Sequence, residues 1–471
     1  MSGDETAQRG PDLARGIALS DLRDGGMLSG HVGEDAISST PMEASRMGTL
    51  AAPPRPASYD KKVTLVLQGG GALGSYQAGV YEALSTSDYP LDWVAGISIG
   101  AVNAAIIAGN PPERRVARLR QFWEGITAPP AWWPAPPAWW PAWLNGTLGA
   151  GWGDHRQAAA AAALLFGQPG FFAPRPPAEW LFGAAPTSLY DTAALKGTLE
   201  SLVDFDRINA REVRFSVGAV NVRTGDLAYF DNAEIAIRPE HVMASSALPP
   251  GFPAVEIDGE HYWDGGLVSN TPLQYVLNYV PRRSRLIFQL DLFPARGPLP
   301  ATLIDAYERE KDIRYSSRTR VVTDTLRQVH DVRHNINALW DKLPEALRAT
   351  PEAQSLYAFG CVTTMDIVQL IDRPREIQGQ AKDHEFSRHT MEARWARGRA
   401  DAETTLRASP WLAPMPPELG ARTFDVLTGA REAATAGSAS SRIPPATASI
   451  GCEPPATATS ASCGKATRHR A

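Results

Sequence analysis

Val63-Thr64-Leu65-Val66-Leu67, followed at once by Gly69-Gly70-Gly71-Ala72-Leu73-Gly74, and then Trp93-Val94-Ala95-Gly96 running into Ile97-Ser98-Ile99-Gly100, carry the reading of the fold. Each begins as a short, continuously apolar run, the pattern of a strand buried on both faces. Each then meets a glycine turn. Behind the first turn Ala78, Val80, Tyr81 and Leu84 fall at helical spacing, and behind the second comes Ala101-Val102-Asn103-Ala104-Ala105-Ile106-Ile107. Strand, turn, helix, strand, turn, helix predicts an α/β fold with a mainly parallel sheet covered by helices.

Further along, Val116, Leu119, Phe122 and Trp123 mark another helix, and then the pattern breaks. From about residue 127 to 186 the chain is rich in Pro, Gly and Trp, which reads as an insertion. Regular structure resumes with a helix over Ala194 to Val203, a strand from Arg214 to Val222 turning through Arg223-Thr224-Gly225-Asp226, and a helix from Pro272 to Tyr279 before a strand at Leu286 to Leu290. Between them, Val255 to Trp263 reads as a hairpin with Asp258-Gly259 at its turn, delivering Asp264-Gly265-Gly266. Residues 302–346 carry charges on every face, predicting a solvated or oligomer-forming helix; Cys361 to Ile371 reads as a late strand and Lys382 to Ala408 as a helix.

The 471 residues contain 44% hydrophobic and 21% charged residues, near globular averages. Residues 1–58 and 431–471 lack aromatics and are predicted to be disordered tails. The organisation expected is therefore tail, an α/β domain over 59–298, a mostly helical extension over 299–430, and tail. A net charge of −5 gives no electrostatic reason to expect nucleic acid. Cys361, Cys452 and Cys463 are too scattered for a disulfide framework or a metal knuckle. The N-terminus lacks an apolar leader region, and the longest apolar run, Ala158 to Phe166, is far short of a span. A cytoplasmic or peripherally membrane-bound protein is expected.

Gly96-Ile97-Ser98-Ile99-Gly100 matches G-x-S-x-G, in which a sharp strand-to-helix turn presents a serine above the sheet. Alone the pattern is weak. Here it lies between a predicted strand and a predicted helix, the context the motif demands. The Gly69 to Gly74 loop fits G-x-G-x-x-G and has two uses: cradling a dinucleotide in an oxidoreductase, or pointing N–H groups at an oxyanion. A dinucleotide site needs an acidic residue at the end of the second strand, and that strand ends instead at Ser98. For a base, the nine histidines offer little. His31 and His469 fall in the tails, His330, His334, His384 and His389 in charged helical patterns, His155 in the insertion, and His241 and His261 lack an orienting partner. Asp264, after an apolar strand, is left as a carboxylate that can take the Ser98 proton directly.

The triple-glycine loop, the Gly-Ile-Ser-Ile-Gly elbow, and the stretch from Ala244-Ser245-Ser246-Ala247-Leu248-Pro249 through Asp264-Gly265-Gly266 to Asn270-Thr271-Pro272 together resemble a patatin-like phospholipase. The resemblance covers roughly residues 61–290 and implies a three-layer α/β/α sandwich, a Ser–Asp dyad and neither metal nor cofactor. Position by position it implies Ser98 as nucleophile, Asp264 as base, Gly69, Gly70, Gly71 and Gly74 as the oxyanion motif, Gly96 and Gly100 as the elbow, and Gly265 and Gly266 as the dyad motif. Gly266 stands where many members have Ala. Tyr315-Ser316-Ser317-Arg318-Thr319-Arg320 and Lys382-Asp383-His384-Glu385-Phe386-Ser387-Arg388 resemble a C-terminal extension of a bacterial branch of that family. A lipid or acyl ester is the substrate implied; a catalytically silent lipid-binding scaffold is the other alternative. Trp123, Trp132, Trp133, Trp139, Trp140, Trp143, Trp152 and Trp180 cluster in or beside the insertion. Tryptophan suits a membrane–water interface, so Trp132, Trp133, Trp139 and Trp140 are the expected lipid contacts, with irregular core packing as the competing reading.

Overall fold

Apolar alternation along the strands decides the layering of the molecule, a computed structural model that describes residues 52–127, 155–182, 186–374 and 382–428. In β1 (Lys62–Leu67), Val63, Leu65 and Leu67 enter one apolar cluster while Val66 enters a second on the opposite face. β2 (Trp93–Gly96) divides in the same way, Val94 against Trp93 and Ala95. The first face is covered by α1 (Ser75–Ser85), α2 (Ile99–Ala108), α3 (Pro112–Ile126) and the helix Arg388–Ala408. Leu273, Val276 and Leu277, with Leu326 beside them, cover the second. Helices on both faces of a mainly parallel sheet make the three-layer α/β/α arrangement expected from the sequence.

Two short strands, β3 (Ala173–Pro174) and β4 (Tyr190–Asp191), pair with each other apart from the main sheet. The main sheet contains β5 (Arg214–Asn221), β6 (Leu227–Asp231), β7 (Val255–Ile257), β8 (Glu260–Asp264), β9 (Arg285–Asp291), β10 (Met365–Ile371) and β11 (Ala421–Phe424) in addition to β1 and β2. Its order is β11-β10-β9-β1-β2-β5-β8-β7, with β6 on the other side of β5. β11 through β5 run parallel, and β6, β7 and β8 are antiparallel additions. β2 pairs with β5 only as far as Gly96↔Val217, because the chain then turns away. β8 takes up the edge that β2 leaves, pairing Ala219 with Asp264. The loop after β1, the turn after β2 and Asp264 therefore meet at one edge of the sheet, beyond the carboxyl ends of the parallel strands.

Residues beyond 299 do more than form helices. β10 lies beside β9 and β11 beside β10, so this region extends the same sheet, and Val368 and Leu370 join the first apolar cluster. The helix Leu303–Trp340 starts at Thr302, whose side chain accepts the Asp305 N–H (3.2 Å) while the Asp305 carboxylate accepts the Thr302 N–H (3.0 Å). Charges on every face predict a solvated helix, yet Glu308, Asp312, Ser316, Thr323 and His330 are buried. Their partners make this tolerable: the Lys382 ammonium sits between Glu308 and Asp312, and His330 Nε2 bonds the Thr363 carbonyl at 2.8 Å. A second departure concerns Lys382 to Ala408. The helix begins only at Arg388, capped by the Ser387 hydroxyl, and Lys382, Asp383 and His384 form a turn.

Of the clustered tryptophans, Trp123 is fully buried, its Nε1–H donating to Asn103 Oδ1 at 3.1 Å, whereas Trp180 is about half exposed. Trp132, Trp133, Trp139, Trp140, Trp143 and Trp152, like residues 1–51 and 429–471, lie outside the described residues; residues 52–58, read as part of the N-terminal tail, are described, and there Arg55 Nη2 donates to the Lys61 carbonyl at 2.7 Å.

Candidate active site

The turn after β2 is tight enough to forbid side chains two positions to either side of Ser98. A Cβ on Gly96 would lie 2.3 Å from the Gly100 carbonyl oxygen, and one on Gly100 would lie 2.5 Å from that of Leu67. Ser98 itself sits at φ 55°, ψ −128°, a conformation that costs a non-glycine residue about 1–3 kcal/mol. Neighbours hold it there. Its N–H donates to the Ser245 carbonyl and to Ser245 Oγ, each at 3.1 Å, and its carbonyl accepts the Ser246 hydroxyl at 3.0 Å. With the backbone so tethered, the side chain stands at the N-terminus of α2.

Asp264 arrives from the β7–β8 hairpin, whose turn places Asp258 at φ 52° and Gly259 at φ 85°, as an Asp-Gly pair permits. Its carboxyl is buried at 2% exposure, accepts the Gly266 N–H at 2.7 Å and lines the same cavity as Ser98. Burial pushes its pKa up to about 7, and the neighbouring Ser98 side chain and Gly266 N–H only partly offset that. Gly265 has no room for a side chain, since a Cβ would lie 2.5 Å from the Gly218 carbonyl oxygen. A Cβ on Gly266 would lie 2.8 Å from Asn270 Oδ1, a side-chain neighbour.

The glycine loop is pinned from two directions. Gly69 donates its N–H to the Asn270 carbonyl (3.1 Å) and accepts Asn270 Nδ2 (2.9 Å), while the Ala72 N–H donates to the Asp383 carbonyl (2.9 Å). Between these ties the N–H groups of Gly70 and Gly71 have no acceptor among the described residues. Gly71 sits at φ 55°, and a Cβ there would fall 2.3 Å from the Asp383 carbonyl oxygen. Gly74 instead lets α1 approach Ile99 of α2, where a Cβ would come within 2.7 Å. Behind the loop, Gln77 Nε2 donates to the Gln68 carbonyl (2.7 Å) and Asn103 Nδ2 to the Gly74 carbonyl (3.0 Å).

Ser98, Asp264, Gly69, Gly70, Gly71 and Gly266 thus line one cavity of about 310 Å³, whereas Gly74, Gly96, Gly100 and Gly265 support it from behind. Phe171, Phe172, Tyr190, Leu248 and Phe252 make its apolar wall. A larger cavity of about 880 Å³, bounded by Tyr229, Tyr275 and Val321, contains none of the Ser98, Asp264 and glycine-loop groups.

Five residues at the site were given no role there by the sequence. Asn270 holds Gly69 through two bonds; it stands six residues after Asp264, a polar residue in a glycine-rich loop, which is a usable signal. Phe171 and Phe172 come from the segment read as an insertion. Asp383 and His384 come from a segment read as helix and marked only by its resemblance to a C-terminal extension, which carries no site role. His384 is not a surface member of a helix: it lines the same cavity, with Nε2 3.7 Å from Asp383 Oδ2. Burial would raise the Asp383 carboxyl, but the charges of His384 and Lys311, with the Lys311 hydrogen bonds at 2.7 Å, hold it below the ordinary carboxylate range.

Comparisons with known proteins place the chain's family. Residues 65–277 match a family model described as patatin-like phospholipase, and residues 313–418 match a second described as patatin phospholipase. Among curated relatives, the lysophospholipase nte1 of Aspergillus terreus is 50% identical over 48 residues, 10% of this chain and 3% of that protein. The patatin-like phospholipase domain-containing protein 7 of Mus musculus is 39% identical over 67 residues, 14% of this chain and 5% of that protein. The matched stretches are therefore small parts of much longer relatives. Among solved structures, VipD from Legionella pneumophila aligns over 76% of this chain and 67% of its own at 14% identity and a TM-score of 0.30. ExoU in its complex with SpcU from Pseudomonas aeruginosa aligns over 66% and 69%, at 16% identity and a TM-score of 0.21. With the two family models matched in succession, across both the sheet that carries Ser98 and the region that carries Asp383, the chain belongs to the patatin-like phospholipase family.

Proposed function

We propose that the chain is a serine acyl-ester hydrolase working through a Ser98–Asp264 dyad, with phospholipid or lysophospholipid as the substrate class. One observation carries the reading: a buried carboxyl, Asp264, and Ser98 line the same cavity, together with Gly70 and Gly71, whose N–H groups have no acceptor among the described residues. Ser98 Oγ attacks the acyl carbonyl carbon while its proton passes to Asp264. The oxyanion takes hydrogen bonds from Gly70 and Gly71; Gly69, its N–H committed to Asn270, shapes the loop without donating. Collapse expels the alcohol, which leaves with the proton from Asp264. Water then gives a proton to Asp264 and attacks the acyl-serine, releasing the carboxylic acid and restoring the Ser98 hydroxyl. The aromatic wall suits an acyl chain, and the family supports a lipid ester. An oxidoreductase use of the loop lacks its ribose-binding acid, because β2 ends at Gly96 and runs straight into the Ser98 turn.

Turnover of a soluble p-nitrophenyl ester by the full chain tests this reading, and its pH dependence tests the base. Asp264 must be ionised to accept the proton, and its pKa is pushed up to about 7. The logarithm of kcat/KM is therefore expected to rise with unit slope toward pH 7 and to level above it. A profile flat from pH 5 to 8 would remove Asp264 as the base.

Contact with a lipid surface through Trp132, Trp133, Trp139 and Trp140 is part of the proposal, supported by their pairing with prolines in the sequence. Among the described residues no helix is long and apolar enough to cross a membrane. Deleting residues 129–141 is expected to weaken sedimentation with phosphatidylcholine liposomes at least tenfold while leaving soluble-ester turnover within twofold. Equal loss of both would assign those rings to packing.

A further inference from the structure

Ala72 is held at both of its backbone groups by the region beyond residue 299. Its N–H donates to the Asp383 carbonyl, and its carbonyl accepts Arg394 Nη1 at 3.2 Å. Arg394, 1% exposed on the helix Arg388–Ala408, uses the rest of its guanidinium on the same turn: Nη1 donates to the Glu385 carbonyl (3.1 Å) and Nη2 to the Lys382 carbonyl (2.8 Å). One planar fork thus joins the oxyanion loop to residues 382–385. That turn is itself anchored, by the buried Lys382 ammonium on Glu308 and Asp312 and by Lys311 on Asp383. The helix carrying Arg394 has little room to shift. A Cβ on Gly79 of α1 would lie 1.9 Å from the Trp395 carbonyl oxygen, and one on Gly398 would lie 2.1 Å from that of Tyr76, so the two helices touch backbone to backbone.

A buried arginine whose task was only to neutralise Glu385 would aim at its carboxylate. Here that oxygen is 4.0 Å from Nη2, while three backbone carbonyls receive hydrogen bonds. We propose that Arg394 is a positioning residue for the oxyanion hole: through Ala72 and the 382–385 turn it sets the direction of the Gly70 and Gly71 N–H groups, making the C-terminal region a wall of the catalytic site. The proposal rests on the acyl-hydrolase reading of Ser98.

The test compares the full-length wild type with Arg394→Lys and Arg394→Gln, using p-nitrophenyl butyrate turnover, thermal melting, and titration of reactive sites with a fluorophosphonate. Both variants are expected to stay folded and to label to one site per chain, with kcat per labelled site down about 10²-fold, the scale of a 1 Å misplacement, and KM within twofold. Labelling should slow in parallel, because phosphonylation uses the same N–H groups. Lysine should not rescue, since it keeps the charge but not the fork. Wild-type kcat in Arg394→Lys, unfolded variants, or a loss of labelled sites in proportion to lost turnover would make Arg394 a charge-balancing or folding residue and overturn the proposal. A wild type that neither labels nor turns over would overturn the hydrolase reading itself, and this assignment with it.

Discussion

Ser98→Ala and Asp264→Asn are each expected to lower kcat about 10⁴-fold on a soluble ester, the scale seen when one member of a nucleophile–base set is removed. The double variant should lose no more than the worse of the two, because a nucleophile and its base act as a unit. Histidine variants provide the contrast. His384 lines the cavity, so His384→Ala is the informative one; with Asp264 as the proposed base, its loss should remain within about tenfold. A loss matching that of Asp264→Asn, with the fold intact, would turn the dyad into a triad. Stability separates lost chemistry from lost folding. A buried carboxyl with a pKa raised to about 7 lends the fold most below its unfolded value near 4, and that contribution disappears as pH rises through 7. Asp264→Asn carries no such penalty, so relative to wild type its melting temperature should be higher at pH 8 than at pH 5.

Gly71→Ala should lower kcat about 10²–10³-fold, the cost of losing one oxyanion donor, with KM little changed. Two independent features lead there. Gly71 sits at φ 55°, which L side chains rarely adopt, and the new Cβ would fall 2.3 Å from the Asp383 carbonyl oxygen, a backbone atom that cannot swing aside. Either the loop or the 382–385 turn must move, and the Gly71 N–H moves with it. Gly125→Ala is the control: a Cβ there meets nothing within 4 Å, and turnover should stay within twofold. Equal effects at the two positions would point to general destabilisation.

Sequence patterns reached the parts of this molecule whose chemistry is local. β1, β2, the glycine turns and the Asp258-Gly259 hairpin are each specified by residues adjacent in the chain, and the structure places them where that reading does. Gly96, Ser98 and Gly100 could be read together because one tight turn imposes all three. What stayed hidden depends on distant partners. The helix Leu303–Trp340 looks solvated because its buried Glu308 and Asp312 are compensated by Lys382, which lies 74 and 70 positions on. Residues 382–387 continue a helical composition but form a turn, since their backbone carbonyls are taken by Ala72 and Arg394. No periodicity signals a carbonyl recruited by another element. For the same reason Asp383 and His384 could not be linked in advance to the cavity that holds Ser98.

The most direct measurement is the site and stoichiometry of covalent capture. Full-length protein treated with a fluorophosphonate at pH 8 and examined by intact mass and peptide mapping should gain one phosphonyl group per chain, located on Ser98. Labelling should vanish in Ser98→Ala and slow sharply in Asp264→Asn. An unmodified chain, or a phosphonyl group on another residue that persists in Ser98→Ala, would contradict the account.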